Sequence, residues 1–98
     1  MAGQHTRWKD GLSEKRATPE YEAAYEEARR SHELGKAIRE RRQALGVTQT
    51  ELAARAGMTQ SAVSRLEAGG MTPTIGLLDR VAAALDADLV VAIAPHAA

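Results

Sequence analysis

The chain has 98 residues, with 13 Lys and Arg, 13 Asp and Glu, and a formal net charge of zero at pH 7. This length supports one compact core with extensions and leaves little room for an enclosed cleft around a large substrate. The absence of cysteine excludes disulfides, thiolate zinc sites and cysteine nucleophiles, and the absence of a signal-like or ~18-residue apolar run favours a cytoplasmic protein without a membrane span.

The charges are unevenly distributed along the chain. In residues 34–70, basic side chains outnumber acidic ones by six to three. A basic middle segment can face a polyanion although the whole chain is neutral. The sequence also has no Phe, one Trp and two Tyr, which favours closely packed helices over a sheet.

The N-terminal part divides into a polar segment and a predicted helix. Residues 1–17 are polar and without period, so we expect a flexible segment with Trp8 and Leu12 as its only large apolar anchors. Thr18, followed by proline and glutamate, predicts the start of an amphipathic helix over residues 18–33. Its apolar face consists of Tyr21, Ala24, Tyr25 and Ala28.

The core domain is predicted to span residues 34–86 and to begin with another helix. Leu34, Ile38 and Leu45 recur at helical spacing, and Gly46 is a helix stop. Gly35 weakens the junction with the preceding helix without forbidding continuity. The pattern therefore leaves open whether the two helices are one.

Two short helices follow, joined by a sharp turn. The sequence TQTE from Thr48 onward matches a capping box, which predicts a helix over residues 49–56. Gly57 ends this helix, and Thr59 can cap a second one that runs to residue 66 or 67.

The last two predicted elements are a helix and a strand. Thr74 can cap a helix with an apolar face that contains Ile75, Leu78, Val81, Ala82 and Leu85. Residues 87–98 contain a strand-like run, namely Leu89, Val90, Val91, Ala92 and Ile93. Because no other segment is strand-like, the pairing partner must come from another chain, either a second copy across a two-fold axis or the sheet of a partner protein.

The two short helices have the spacing of a DNA-binding helix-turn-helix. Such a motif needs a small residue where the helices cross, a glycine in the turn, and apolar residues that seat the second helix. These positions are filled by Ala53, Gly57, Val63 and Leu66. The second helix then presents side chains suited to base edges, namely Gln60, Ser61, Ser64 and Arg65, and Thr59 at its N-cap is a further candidate DNA contact.

Phosphate contacts are expected beside this helix. Gln49, at the start of the first motif helix, can bind a phosphate with its side chain and backbone N–H. Further candidates are Arg39, Arg41 and Arg55. The alternative for the whole polar surface is an ordinary solvated helix face.

Residues 38–85 resemble a known family. The run TQTELAARAGMTQSAVSRLEAG within them resembles the XRE, or Cro-type, helix-turn-helix domain. The resemblance implies an all-α, five-helix, lambda-repressor-like bundle in which Gln49 anchors a phosphate, Gln60, Ser61 and Arg65 read bases, and Arg42 pairs with a buried Glu67. The sequence departs from the family at Ala68, where many members carry a phosphate-binding asparagine.

The flanking segments have a narrower resemblance. TPEYEAAYEEARRSHELGKAIRERR and DLVVAIAP are similar to HigA-type antitoxins of type II toxin–antitoxin modules. This resemblance implies that the protein neutralises a RelE-like or HigB-like ribonuclease toxin and represses a shared promoter. The implied toxin contacts are Trp8, Leu12, Tyr21, Tyr25 and Ala28. The alternative is a stand-alone repressor in which the tyrosine face packs on its own core.

No pattern indicates catalysis or metal binding. His5, His32 and His96 are too scattered for metal-ligand spacing. No set of a nucleophile, a general base and an orienting group is evident in the sequence. We therefore expect a non-enzymatic protein without metal or cofactor, acting as a homodimer on a pseudo-palindromic operator.

Overall fold

The computed structural model describes residues 18–97. Trp8 and Leu12, two of the predicted toxin contacts, lie outside the described residues. Each helix in the described part begins after a threonine with a hydroxyl that accepts a backbone N–H from the first turn. The four helices are α1 (Pro19–Ala44), α2 (Gln49–Ala56), α3 (Gln60–Glu67) and α4 (Ile75–Ala84).

The prediction of a five-helix bundle with a separate N-terminal helix is wrong for the described residues, which contain four helices. The segments 18–33 and 34–45, predicted separately, form the single helix α1. This helix has 26 residues and is about 39 Å long at 1.5 Å per residue. Gly35 does not break it. A Cβ at position 35 would lie 2.5 Å from the carbonyl oxygens of Leu66 and Glu67, so glycine is needed where α1 approaches the end of α3.

The core lies among the four helices, where α2 packs against α3 and α4, and α1 packs against α3. Among the residues that the structure describes, nine apolar ones are buried: Ile38, Val47, Leu52, Ala53, Ala56, Val63, Leu66, Val81 and Leu85. Within residues 18–97, no helix combines the length and apolarity needed to cross a membrane.

Two arginines stabilise helix ends across the core. Arg41 of α1 donates to the carbonyl oxygens of Leu85 and Asp86, at 2.9 and 3.0 Å, just after α4. Arg80 of α4 donates to the carbonyl oxygen of Ala56 at the end of α2, at 3.0 Å. The last carbonyls of a helix have no partner within it and carry a partial negative charge, so a guanidinium satisfies them well.

The predicted C-terminal strand is absent from the described single chain. Residues 87–97 form neither helix nor strand. A strand needs ladder hydrogen bonds to a neighbour, and this segment has no such neighbour within the described part of its own chain. Val90, Val91 and Ile93 are 84%, 62% and 98% exposed. Pairing with a second chain stays a prediction.

Candidate nucleic-acid interface

The turn between α2 and α3 depends on Gly57. This residue has φ +69° and ψ 38°, and its N–H donates to the carbonyl oxygen of Ala53. No atom would obstruct a Cβ at this position, so the requirement for glycine comes from the left-handed backbone alone. Thr59 adopts an extended conformation two residues later, and its hydroxyl accepts from the N–H of Ala62 to begin α3.

One face of α3 is anchored in the core and the other faces outward. Val63 and Leu66 are 0% and 1% exposed and hold the helix against the rest of the bundle. The structure places Thr59 and four predicted base-reading residues on the exposed side, namely Gln60, Ser61, Ser64 and Arg65. A short helix is thereby fixed on one side and leaves hydrogen-bonding side chains available on the other.

A buried ion pair joins α1 to the end of α3. Arg42 donates to both carboxylate oxygens of Glu67, Nε to Oε2 at 2.6 Å and Nη2 to Oε1 at 2.9 Å. The two side chains are 12% and 3% exposed. The remaining nitrogen of Arg42 donates to the carbonyl oxygen of Val47 at 3.0 Å. This bidentate geometry fixes the orientation of α3 relative to α1.

Burial and hydrogen bonding act in opposite directions on Glu67. Burial by itself would raise the pKa of Glu67, but hydrogen bonds from Arg42 and Gln49, together with the positive charges of Arg42 and Arg39, lower it. The hydrogen bonds to Glu67 in turn raise the pKa of Arg42. Both partners are therefore charged at neutral pH.

The ion pair continues into two glutamines at the surface, which we call the amide relay. Gln49 donates from Nε2 to Oε1 of Glu67 at 3.1 Å. Gln60 donates from Nε2 to Oε1 of Gln49 at 2.8 Å. The relay therefore consists of Gln60, Gln49 and Glu67, and it connects a predicted base-reading residue to a predicted phosphate-binding residue.

The amide relay is not evident from the sequence. Gln49 and Gln60 are predicted at the starts of the two motif helices, but no contact between them is predicted. Helical spacing predicts which face a residue occupies, whereas the direction of a long side chain depends on its rotamer. The signal available in the sequence is that both glutamines occupy the first position of a motif helix.

The predicted phosphate-binding arginines occupy different places. Arg39 is exposed, and its charge lowers the pKa of Glu67. Arg55 instead donates to the carbonyl oxygen of Ala84 at 3.4 Å and lies 3.9 Å from the carboxylate of Glu51. Arg41 contacts the end of α4, as described above. The structure thus leaves Arg39 exposed, and it directs Arg41 and Arg55 to α4.

The predicted toxin contacts that are described lie on the first half of α1. Tyr21 is half-buried, Tyr25 is 41% exposed, and Ala28 is exposed. An open groove of about 580 Å³ lies between this half of α1 and the segment before α4. Across it, the Thr72 hydroxyl donates to the carboxylate of Glu27 at 3.0 Å.

Residues 38–91, more than half of the chain, match the family model described as "Helix-turn-helix". The chain belongs to the XRE-type helix-turn-helix family. The matched region begins in the second half of α1 and contains α2, α3, α4 and the beginning of the C-terminal segment. It excludes the part of α1 that carries the tyrosines.

Two curated relatives are similar to part of the chain. An uncharacterised HTH-type transcriptional regulator of Sinorhizobium fredii is 42% identical over 65 residues, which cover 66% of this chain and 33% of the relative. An uncharacterised HTH-type transcriptional regulator of Methanothermobacter thermautotrophicus is 48% identical over 48 residues, which cover 49% of this chain and 70% of the relative. The chain thus spans a third of the length of the first relative.

Proposed function

We propose that this protein regulates transcription by binding double-stranded DNA in a sequence-specific manner through α3. The observation that carries the proposal is the division of α3 into a buried apolar side and an exposed side with Gln60, Ser61, Ser64 and Arg65. An α-helix of this kind fits the major groove, where each base pair presents a distinct set of donors and acceptors. The names of the two relatives also support a role in transcription.

In this mechanism, α3 reads bases and α2 holds the backbone. Gln60 matches the donor and acceptor of adenine, and Arg65 matches the two acceptors of guanine. Gln49 lies at the start of α2, where unpaired backbone N–H groups and the helix dipole favour a phosphate. Base contacts supply specificity, and phosphate contacts set the register.

We also propose a homodimer formed through the C-terminal segment. Val90, Val91 and Ile93 expose most of their apolar surface in the single chain. Two such segments paired across a two-fold axis would satisfy each other's backbone groups and cover these side chains. The dimer would place two α3 helices in successive major grooves of a pseudo-palindromic operator, and would repress transcription by occlusion.

Substitutions at Arg65 and Gln49 distinguish base reading from backbone anchoring. We expect Arg65→Ala to cost about 1–3 kcal/mol of binding free energy on a selected duplex and to relax preference at one base pair. Gln49→Ala should lower the affinity for every sequence, because it removes a phosphate contact, and should leave the preference at the Arg65 base pair unchanged. Both are measured by selection from a random duplex library followed by titration, with exposed Arg30→Ala on α1 as a charge-matched control. Unchanged preference in Arg65→Ala would contradict the assignment.

A second candidate function is that of an antitoxin, and the first half of α1 favours it. Within residues 18–30, every side chain is exposed except Tyr21 and Glu26, which are half-buried. This half of the helix carries more acidic than basic residues, and it lies outside the family match. An acidic helix with exposed tyrosine suits a basic protein such as a ribonuclease toxin.

Co-purification from the native host tests the antitoxin role. We expect the full chain to retain a small basic protein, and deletion of residues 1–30 to release it while the core stays folded by circular dichroism. Arg65→Ala is the control, because it alters the proposed DNA-binding surface and leaves α1 and the C-terminal segment unchanged. Full protection from the toxin by the chain lacking residues 1–30 would refute this placement.

A further inference from the structure

The hydrogen bonds of the amide relay have a direction that starts at Glu67. A carboxylate has no proton to donate, so Gln49 must turn its Nε2 group towards Glu67. The carbonyl oxygen of Gln49 then faces Gln60 and can only accept. Gln60 must therefore turn its own Nε2 group towards Gln49, and both amides have a single orientation.

This direction determines which atoms remain for a ligand. One N–H of Gln60 is used by Gln49, so Gln60 offers its second N–H together with its carbonyl oxygen. Adenine presents an acceptor, N7, beside a donor, the N6 amino group, and it matches this pair. Guanine presents two acceptors, N7 and O6, so the carbonyl oxygen of Gln60 would face O6 without a proton between them. With the opposite direction, Gln60 would keep two N–H donors, which suit guanine.

We infer that Glu67 is a specificity-determining positioning residue, which fixes the amide orientation of Gln49 and Gln60 and thereby makes Gln60 prefer adenine to guanine. The inference rests on the proposed DNA-binding function. It assigns to the buried ion pair a role beyond holding α3, because Arg42 keeps the carboxylate ionised and therefore limited to accepting.

Replacing Glu67 by a side chain that can both donate and accept tests this role. Glu67→Gln has the same size and permits both directions of the relay. Glu40→Gln makes the same charge change on an exposed part of α1 and is the control. Duplexes are selected from a random library with the full-length wild type. The base pair read by Gln60 is defined as the position at which Gln60→Ala loses the base preference of the wild type.

At that position, we expect the adenine-over-guanine ratio to fall about five-fold or more in Glu67→Gln, while the other positions and Glu40→Gln keep the wild-type ratio. If Glu67→Gln does not fold, Gln49→Met breaks the relay and leaves the Arg42–Glu67 pair intact, and it should cause the same loss. A folded Glu67→Gln or Gln49→Met protein with an unchanged ratio, or with an equal loss at every position, would overturn the inference.

A measurement without DNA separates failure of this inference from failure of the proposed function. In nuclear magnetic resonance spectra of the free protein, the side-chain amide signals of Gln49 and Gln60 should both shift in Glu67→Gln and stay unchanged in Glu40→Gln. Unchanged signals in Glu67→Gln would overturn the relay, whatever the protein binds. If Glu67→Gln shifts both signals but the wild type selects no DNA sequence, the DNA-binding proposal and the assigned adenine preference are overturned together.

Discussion

At the scale of single residues, Glu67 connects the ion pair with Arg42 to the glutamines of the proposed site. Its carboxylate is 3% exposed and accepts three hydrogen bonds, two from Arg42 and one from Gln49. A buried charge is tolerated only when its partners replace the hydrogen bonds of the lost water. Removal of one partner leaves the other charge buried without compensation. The stability of the fold and the geometry of the proposed interface therefore depend on the same carboxylate.

The stability contributed by Glu67 should depend on pH in one direction. Its pKa in the folded protein lies below the ordinary value of 4.5, so folding favours the charged form. The contribution is complete above that ordinary value and is lost as the pH falls through the folded pKa. We expect the gap in free energy of unfolding between wild type and Glu67→Gln to be largest at neutral pH and to shrink on acidification, as measured by urea unfolding at a series of pH values.

Glu40→Gln is the control for this pH series, because Glu40 is an exposed carboxylate whose ion-pair partner, Lys36, is 4.0 Å away. Its gap to wild type should stay small throughout. A gap for Glu67→Gln that remains constant from neutral pH to about pH 3 would contradict the role of the carboxylate charge.

At the scale of elements, the local signals predicted α2, α3 and α4 well. Threonine hydroxyls begin these helices, and glycine follows α2 in a left-handed conformation, so the decisive interactions lie within a few residues in sequence. The continuity of α1 could not be predicted in this way. Gly35 looks like a weak point of the helix, and its reason is the backbone of α3, about thirty residues away in sequence.

The close approach of α1 to α3 can be tested with two glycines in helices. Gly35→Ala should destabilise the protein by about 1–3 kcal/mol, because its Cβ would clash with the backbone oxygens of Leu66 and Glu67, which cannot move without shifting α3. Gly76→Ala in α4 meets only the Thr74 hydroxyl, at 4.0 Å, so it should be neutral or stabilising by up to about 1 kcal/mol. Denaturant unfolding measures both. Equal effects of the two substitutions would contradict the packing role of Gly35.

The limits of sequence reasoning are clearest where an interaction joins distant residues. The exposed face of α3 follows from spacing alone, whereas the helix-end contacts of Arg41 and Arg80 and the amide relay depend on the tertiary arrangement. Resemblance to the family supplied the pairing of Arg42 with Glu67, which spacing does not reveal. The apolar run at 89–93 has strand propensity, but propensity cannot supply a ladder partner.

At the scale of the whole molecule, the core, the first half of α1 and the C-terminal segment have different proposed tasks. The core presents α3, the first half of α1 extends an acidic surface, and residues 89–93 expose apolar side chains. A single α3 contacts only a few base pairs, so one copy gives little specificity among many genomic sites. Two copies in a fixed arrangement extend the site and demand a defined spacing between half-sites.

The dimer proposal predicts the effect of a short truncation. Deletion of residues 89–98 should convert a dimer into a folded monomer, because it removes exposed apolar residues and none of the buried core. Sedimentation velocity measures the change in mass. The truncated chain should also bind a full palindrome no more tightly than a half-site. A truncated chain that remains dimeric would place the interface elsewhere.

Chemical methylation of a bound duplex tests the central claim most directly, since dimethyl sulfate attacks guanine N7 in the major groove and adenine N3 in the minor groove. With wild-type protein, we expect guanine N7 to be protected in each half-site, and we expect Arg65→Ala to remove protection at one guanine per half-site. Protection confined to adenine N3, or a pattern that is identical in wild type and Arg65→Ala, would contradict the placement of α3 in the major groove.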